Sequence, residues 1–236
     1  MRGVHRIIRL SCLVAGLASL AGCNNDPYAT HQPIPLQAEF QAFHLTDELQ
    51  PSDGAIDSVI VWVAGTMPPA QVRAKVNGSS LTRIPLTSST VGLFVASMPV
   101  TPNDVLKLDI STPWRTSHNE IIVPGDPLAF RSPISDTVYD RSLPIDVGWE
   151  GVSTGTVIAQ LMQGSGASST GEVLWSVTAP FDSAVQIPPS IWATRSDTTA
   201  MATLWRAHTA SGDGFEGGLH MIAAIGIRRL VRVTRP

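Results

Sequence analysis

One residue near the start of the chain has a reactive side chain, and the residues before it indicate what chemistry it undergoes. Cys23 follows Leu-Ala-Gly at 20–22 and is one of only two cysteines in the 236-residue sequence. A thiolate is a strong nucleophile, which a serine hydroxyl does not replace. Ahead of it stand three arginines within the first nine residues and an apolar run over 10–20. That order of charge, short apolar core and small residues is typical of a secretory signal.

Together with the signal that precedes it, the segment Leu20-Ala21-Gly22-Cys23 resembles the lipobox of bacterial lipoproteins. The resemblance implies that a diacylglyceryl group alkylates Cys23 and that a signal peptidase cuts the Gly22–Cys23 bond. Each buried CH₂ of an acyl chain contributes about 0.8 kcal/mol, so several chains give a durable anchor. Asn24 implies export to the outer membrane, by analogy with enterobacterial sorting.

Two other interpretations of the N-terminal segment remain open. In the first interpretation, the segment is an uncleaved transmembrane helix. Its 11-residue apolar core is, however, shorter than the roughly 20 residues that a span needs. In the second it is an ordinary signal peptide that is cut nearby, and Cys23 is a bystander.

The composition limits the class of the mature protein. Cleavage after Gly22 leaves 214 residues, which suits one large or two ordinary domains. Without the signal arginines the chain holds 13 basic and 19 acidic residues, a formal net charge of −6. This acid excess argues against nucleic acid as a partner. No cysteine follows Cys23, so the apolar core has to stabilise an exported body without disulfides.

Beyond a short tether, the residue pattern predicts β-strands. Residues 24–36 contain three prolines and no periodicity, so we interpret 23–36 as lipidated N-terminus and tether. The run 59–63 is apolar on both faces, as in a central strand. Residues 72–76 alternate apolar and basic before an Asn-Gly turn at 77–78. Short strands separated by turn residues are typical of an antiparallel sandwich.

Breaker residues at 124–127 divide the predicted strands into two groups. Beyond them, alternate residues over 143–149 are apolar and end at Trp149. This echoes the strand that ends near Trp62, 87 residues earlier. A tryptophan near the end of an early strand, once in each half, suggests two copies of one sandwich.

The strand pattern resembles bacterial surface proteins built from immunoglobulin-like or fibronectin type III-like domains. Residues 57–62, 102–108 and 143–149 carry this resemblance. It implies an all-β protein with two tandem immunoglobulin-like antiparallel β-sandwiches after a cleaved signal peptide and a short tether. The predicted segments are a signal peptide at 1–22, a tether at 23–36, a first sandwich at 37–125 and a second at 126–236. Such a likeness concerns architecture and transfers no function.

No familiar catalytic motif is present in the sequence. The serine-rich stretch 164–171 lacks Gly-x-Ser-x-Gly, and there is no phosphate loop, dinucleotide fingerprint or His-Glu-x-x-His. His208 and His220 flank a glycine-rich stretch that contains Asp213, and a hairpin would bring them together. A metal site there, or a hydrolase site assembled in space, stays open as an alternative because triads need no sequence proximity.

Two groups of charged residues each have a plain and a functional interpretation. Three aspartates between 126 and 140 are turn acids, or else calcium ligands at the domain junction. Four arginines over 228–235 crowd the last strand. We interpret them as a charged edge strand that resists sheet-to-sheet aggregation, with an anionic partner as the alternative.

Exposed tryptophans are the remaining candidates for binding. Trp114 and Trp192 are candidates to stack against a glycan, whereas Trp62 and Trp149 fit core positions. We predict a non-enzymatic, membrane-anchored envelope lipoprotein without metal or cofactor. Its partners are the lipid bilayer, through acylated Cys23, and an unknown envelope protein or glycan. Glycan binding is the first alternative function, and a hydrolase is the second.

Overall fold

The computed structural model describes residues 33–47, 56–87, 90–125, 128–151, 155–163, 172–193 and 195–234. Within these ranges the chain is all β, as the sequence predicts, apart from short 3₁₀ turns at Pro69–Gln71 and Pro189–Ile191. No helix in the described part is long and apolar enough to cross a membrane. The strands are β1 (Leu36–Asp47), β2 (Ile56–Gly65), β3 (Arg73–Val76), β4 (Ser79–Ser80), β5 (Thr82–Ile84), β6 (Val91–Ala96), β7 (Val105–Ser111), β8 (Thr116–Ile122), β9 (Ala129–Ser132), β10 (Val138–Tyr139), β11 (Ile145–Glu150), β12 (Thr156–Gln163), β13 (Val173–Pro180), β14 (Val185–Ile187), β15 (Thr199–Gly212) and β16 (Leu219–Val233).

These strands form one long sheet and two small ones. The long sheet has the order β13-β12-β15-β16-β1-β2-β6-β5, and β10 also pairs with β16. The small sheets have the orders β4-β3-β7-β8 and β14-β11-β9. Pairing is antiparallel as predicted, except where β16 pairs in parallel with β1 and β10. β15 pairs along one edge of β16. The other edge of β16 pairs first with β1 and then, farther along, with β10.

Each small sheet closes its own apolar core against the long sheet. The first core joins Phe40 and Met221 of the long sheet to Leu108 of β7. The second joins Val231 of the long sheet to Trp149 of β11. Because side chains alternate along a strand, the odd-numbered residues of β16 serve both cores from one face. We call this the inner face of the long sheet.

The terminal hairpin belongs to both cores. β15 and β16 pair from Thr199–Arg232 to Gly212–Leu219, far beyond the usual strand length of about five or six residues. The second strand of the hairpin, β16, continues from Leu219 to Val233. The strand is therefore long enough to cross from one core to the other.

Arg229 places a cation on the inner face of β16. Its side chain is buried, donates hydrogen bonds to the carbonyls of Pro133 and Phe130, and lies 4.9 Å from the centre of the Phe130 ring. A buried cation is tolerated when its donors have partners. The interpretation of the arginines at 228–235 as an edge strand is wrong for Arg228, Arg229 and Arg232, because β16 lies between β15 on one side and β1 and β10 on the other, and Arg235 lies outside the described residues.

Polar residues cross the inner face between the two cores. Arg206, Ile225, His44 and Asp57 are successive register partners on β15, β16, β1 and β2. We call Arg206, His44 and Asp57 the polar row; Ile225, which lies between Arg206 and His44, is apolar and belongs to the first core. Burying unpaired polar groups among apolar side chains costs free energy. The apolar interior therefore divides at this row.

Residues 33–36, which the sequence assigns to the tether, belong to the folded body. Ile34 is fully buried in the first core. Its N–H donates to the Gly214 carbonyl over 2.8 Å, and its own carbonyl accepts from Glu216 over 2.8 Å. Pro33 and Pro35 flank it at positions that contribute no N–H, which is how proline is accommodated beside a strand.

A third apolar cluster lies on the outer face of the long sheet. Phe43 packs edge-on against Trp205, with ring centroids 5.9 Å apart. Ile60 joins this cluster while Val61 faces the first core, so the run 59–63 is apolar on both faces as predicted. Gly226 lies opposite Trp205, and a Cβ there would approach the indole to 2.5 Å.

We expect Gly226→Ala to destabilise the protein by about 1–3 kcal/mol, because the added methyl group overpacks the Trp205 ring. Urea denaturation measures the free energy of unfolding. In a Trp205→Leu background the same substitution should cost less, which a double-mutant cycle would report as coupling. Equal costs in the two backgrounds would contradict this packing.

Candidate functional site

The predicted lipidation site lies outside the described residues. Gly22 and Cys23 are both in the undescribed N-terminal part, so acylation stays a prediction. The folded body begins by Ile34, 11 residues after Cys23. At most about 36–40 Å of extended chain separates the two. An anchor at Cys23 would therefore hold the body close to its membrane.

The two candidate glycan tryptophans have opposite environments. Trp114 lies between β7 and β8 and is 65% exposed. Its turn is closed by the Thr112 N–H, which donates to the Arg115 carbonyl over 2.7 Å. Trp192, by contrast, is fully buried in the second core, so its assignment as a glycan platform is wrong. The 3₁₀ turn Pro189–Ile191 places this residue against the apolar interior.

The two predicted core tryptophans lie in different sheets. Trp149 of β11 is 4% exposed in the second core, as predicted, and its Nε1–H donates to the Phe181 carbonyl over 2.8 Å. Trp62 of β2 is half-buried and packs with the outer-face cluster. Trp62 and Trp149 therefore do not occupy equivalent positions in the two halves, although their sequence segments resemble each other.

The histidines near the terminal hairpin do not converge. His208 pairs in register with Ala223, whereas His220 pairs with Ser211. His208 faces inward, with Nδ1 3.1 Å from the Ile122 carbonyl, while His220 follows the outer-face register of β16. In the described residues there is no group of three or more His, Cys, Asp or Glu that could hold a metal.

Asp136 and Asp140, near the predicted domain junction, have different partners. Asp126 lies outside the described residues. Asp136 is 3.4 Å from Arg232. The carboxylate of Asp140 accepts hydrogen bonds from the backbone N–H and the hydroxyl of Ser142, at 2.8 and 2.7 Å. These two bonds, the backbone one foremost, lower the pKa of Asp140 below its usual value.

A histidine–carboxylate pair that the sequence does not reveal lies in the polar row. His44 Nδ1 is 2.7 Å from Asp57 Oδ1, and each side chain is about one-fifth exposed. The Ser97 hydroxyl donates to the Asp57 backbone carbonyl over 3.4 Å. The pair is therefore held between β1 and β2 at the boundary between the cores.

A cleft of about 160 Å³ opens beside this pair. We call it the junction cleft, because Ile225 belongs to the first core and Leu128 to the second. Its lining residues are His44, Thr46, Pro102, Leu128, Ile225, Gly226 and Ile227. The cleft is mainly apolar, with two polar side chains. Such a combination is typical of a small-molecule or side-chain binding site.

The sequence contains a partial signal for this site. On β1, the inner-face positions at 36, 38, 40 and 42 are apolar, and His44 then interrupts the pattern on the same face. Period-two alternation alone places His44 toward the interior. It does not identify Asp57 or Ile227 as neighbours, because their positions depend on strand register.

Comparison with known proteins adds little to this geometry. No protein-family model matches the chain, and no curated protein matches it. A solved I-band fragment, I67–I69 from titin, aligns with 86% of this chain and 66% of its own, at 11% identity and a TM-score of 0.21. The alignment thus spans just under two thirds of that chain. This TM-score is too low to support an argument about function.

We expect Trp149→Ala to cost about 3–5 kcal/mol, because a buried ring and its hydrogen bond are lost. The matched variant Trp114→Ala should change stability by less than about 0.5 kcal/mol, because its ring is exposed. Urea denaturation of the two variants tests the contrast. A large loss of stability in Trp114→Ala would show that its ring is packed in solution.

Proposed function

We propose that this chain is a lipid-anchored, non-enzymatic module of the bacterial envelope that binds or spaces a partner. The observation that carries the proposal is the Leu-Ala-Gly-Cys segment that ends at Cys23 behind a basic, then apolar, signal. Acyl chains on that residue bind a bilayer, and the short link to Ile34 keeps the β body near its surface.

Two features of the described body support a binding or spacing role. Its two cores share continuous strands, which favours a stiff unit over two freely moving domains. The candidate hydrolase residues are separated, since His208 and His220 lie on opposite faces of the hairpin. The proposal therefore assigns them no catalytic role. Acyl transfer by a catalytic triad requires the residues of the triad to lie close together.

Metabolic labelling with radioactive palmitate tests the anchor. We expect the wild-type protein to incorporate label and to fractionate with membranes, and we expect Cys23→Ser to lose both properties because the acceptor thiol is absent. Cys12→Ser is the matched control and should keep the label, since Cys12 precedes the cleavage point. Label retained in Cys23→Ser would refute the proposal.

Glycan recognition through Trp114 is a second candidate function. The specific support is the 65% exposed indole on a turn that hydrogen bonds hold in shape. An exposed flat ring offers stacking to the apolar face of a sugar, and Tyr and Trp are common at such surfaces.

A glycan array on the purified protein tests this second candidate. We expect Trp114→Ala to lose at least about tenfold in affinity for any bound glycan, and Trp114→Phe to lose less because it keeps an aromatic face. If the wild-type protein binds no glycan, or if Trp114→Ala binds equally well, the platform does not exist.

A further inference from the structure

The junction cleft has a defined polar chemistry. The Asp57 carboxylate lies 2.7 Å from His44 Nδ1 and can only accept a hydrogen bond, so in the neutral form of the imidazole the proton lies on Nδ1 and the lone pair on Nε2. None of the described residues forms a hydrogen bond with Nε2. His44 lines the cleft, which leaves Nε2 as the ring nitrogen available to a guest.

The second polar group in the cleft also acts as an acceptor. The Thr46 hydroxyl donates its proton to the Gly226 carbonyl over 3.2 Å. The oxygen therefore offers lone pairs, as His44 Nε2 does. Both polar side chains of the cleft thus accept hydrogen bonds. A guest therefore has to supply a hydrogen-bond donor. An anion would be repelled by the two lone pairs and by the nearby Asp57 carboxylate.

The apolar lining and the volume set the size of the guest. Leu128, Ile225 and Ile227 form apolar walls, and Pro102 adds a further one. The volume of about 160 Å³ matches apolar cavities of about 150 Å³ that hold a benzene ring. The part of a guest that lies inside the cleft is therefore about the size of a single six-membered ring.

We propose that the junction cleft binds a phenol-type group, with its ring against the apolar walls and its hydroxyl donating to His44 Nε2. The group is either a free phenolic compound or the side chain of a tyrosine on a partner protein. This inference rests on the binding role proposed above and does not depend on acylation. Loss of palmitate labelling and loss of phenol binding are therefore distinguishable failures.

The first experiment titrates phenol, benzene and benzoate into the purified full-length protein, whether or not it is acylated. The readout is the ¹⁵N resonance of His44 Nε2, which responds to a hydrogen bond at that atom. We expect phenol to bind with a Kd on the order of millimolar. Benzene should bind about tenfold more weakly because it has no donor. Benzoate should not bind. No response to phenol, or binding of benzoate at the phenol concentration, would overturn the proposal.

Two substitutions test how the site recognises the donor. In Asp57→Leu no side chain at this position accepts the Nδ1 proton, so the advantage of phenol over benzene should fall to about twofold or less, with benzene binding unchanged. Ile227→Phe fills the cleft and should prevent binding of both rings. Thermal denaturation identifies any variant that fails to fold. A folded Asp57→Leu variant that keeps the full preference would overturn the assigned role of His44.

Competition distinguishes the two sources of the ring. N-acetyl-tyrosinamide carries the phenol on an amino-acid backbone. If it displaces phenol at comparable concentration, the cleft takes a tyrosine side chain from a partner protein. If phenol alone binds, the guest is a free phenolic compound. If neither compound perturbs His44, the cleft is not a phenol site.

Discussion

The shared β15–β16 hairpin is the constraint on which the other parts of this protein depend. Two strands that pair from Thr199–Arg232 to Gly212–Leu219 form part of the floor of both cores. Each small sheet buries its apolar face against the long sheet, to which this hairpin belongs. Apolar burial contributes roughly 25 cal/mol per Å², so neither half has an independent means of replacing that surface. The two halves therefore position their residues as parts of one sheet.

The polar row explains why one continuous sheet supports two cores. Arg206, His44 and Asp57 fall on inner-face positions of β15, β1 and β2, and the apolar Ile225 of β16 lies between Arg206 and His44. Polar groups there need partners rather than apolar neighbours. His44 obtains Asp57, and farther along β16 Arg229 obtains backbone carbonyls of the second half. The gap between the cores becomes the junction cleft.

This arrangement links the proposed location of the protein to its proposed binding role. An anchor at Cys23 would hold Ile34, and with it the start of β1, near a membrane. The same strand carries His44 and Thr46 to the cleft between the cores. A partner at the cleft would thus contact the strand that continues from the anchor. The exposed Trp114 lies on a separate turn, so the two candidate surfaces are independent.

The sequence by itself determined the local features of this protein. The alternation at 72–76, the two-faced apolar run at 59–63 and the core position of Trp149 depend on residue type and period, which are local properties. Tertiary structure alone decided the length of β16, the burial of Trp192 and the pairing of His44 with Asp57. These depend on which strands become neighbours and in which register. Contacts between distant segments fix that register, and no short stretch of sequence contains them.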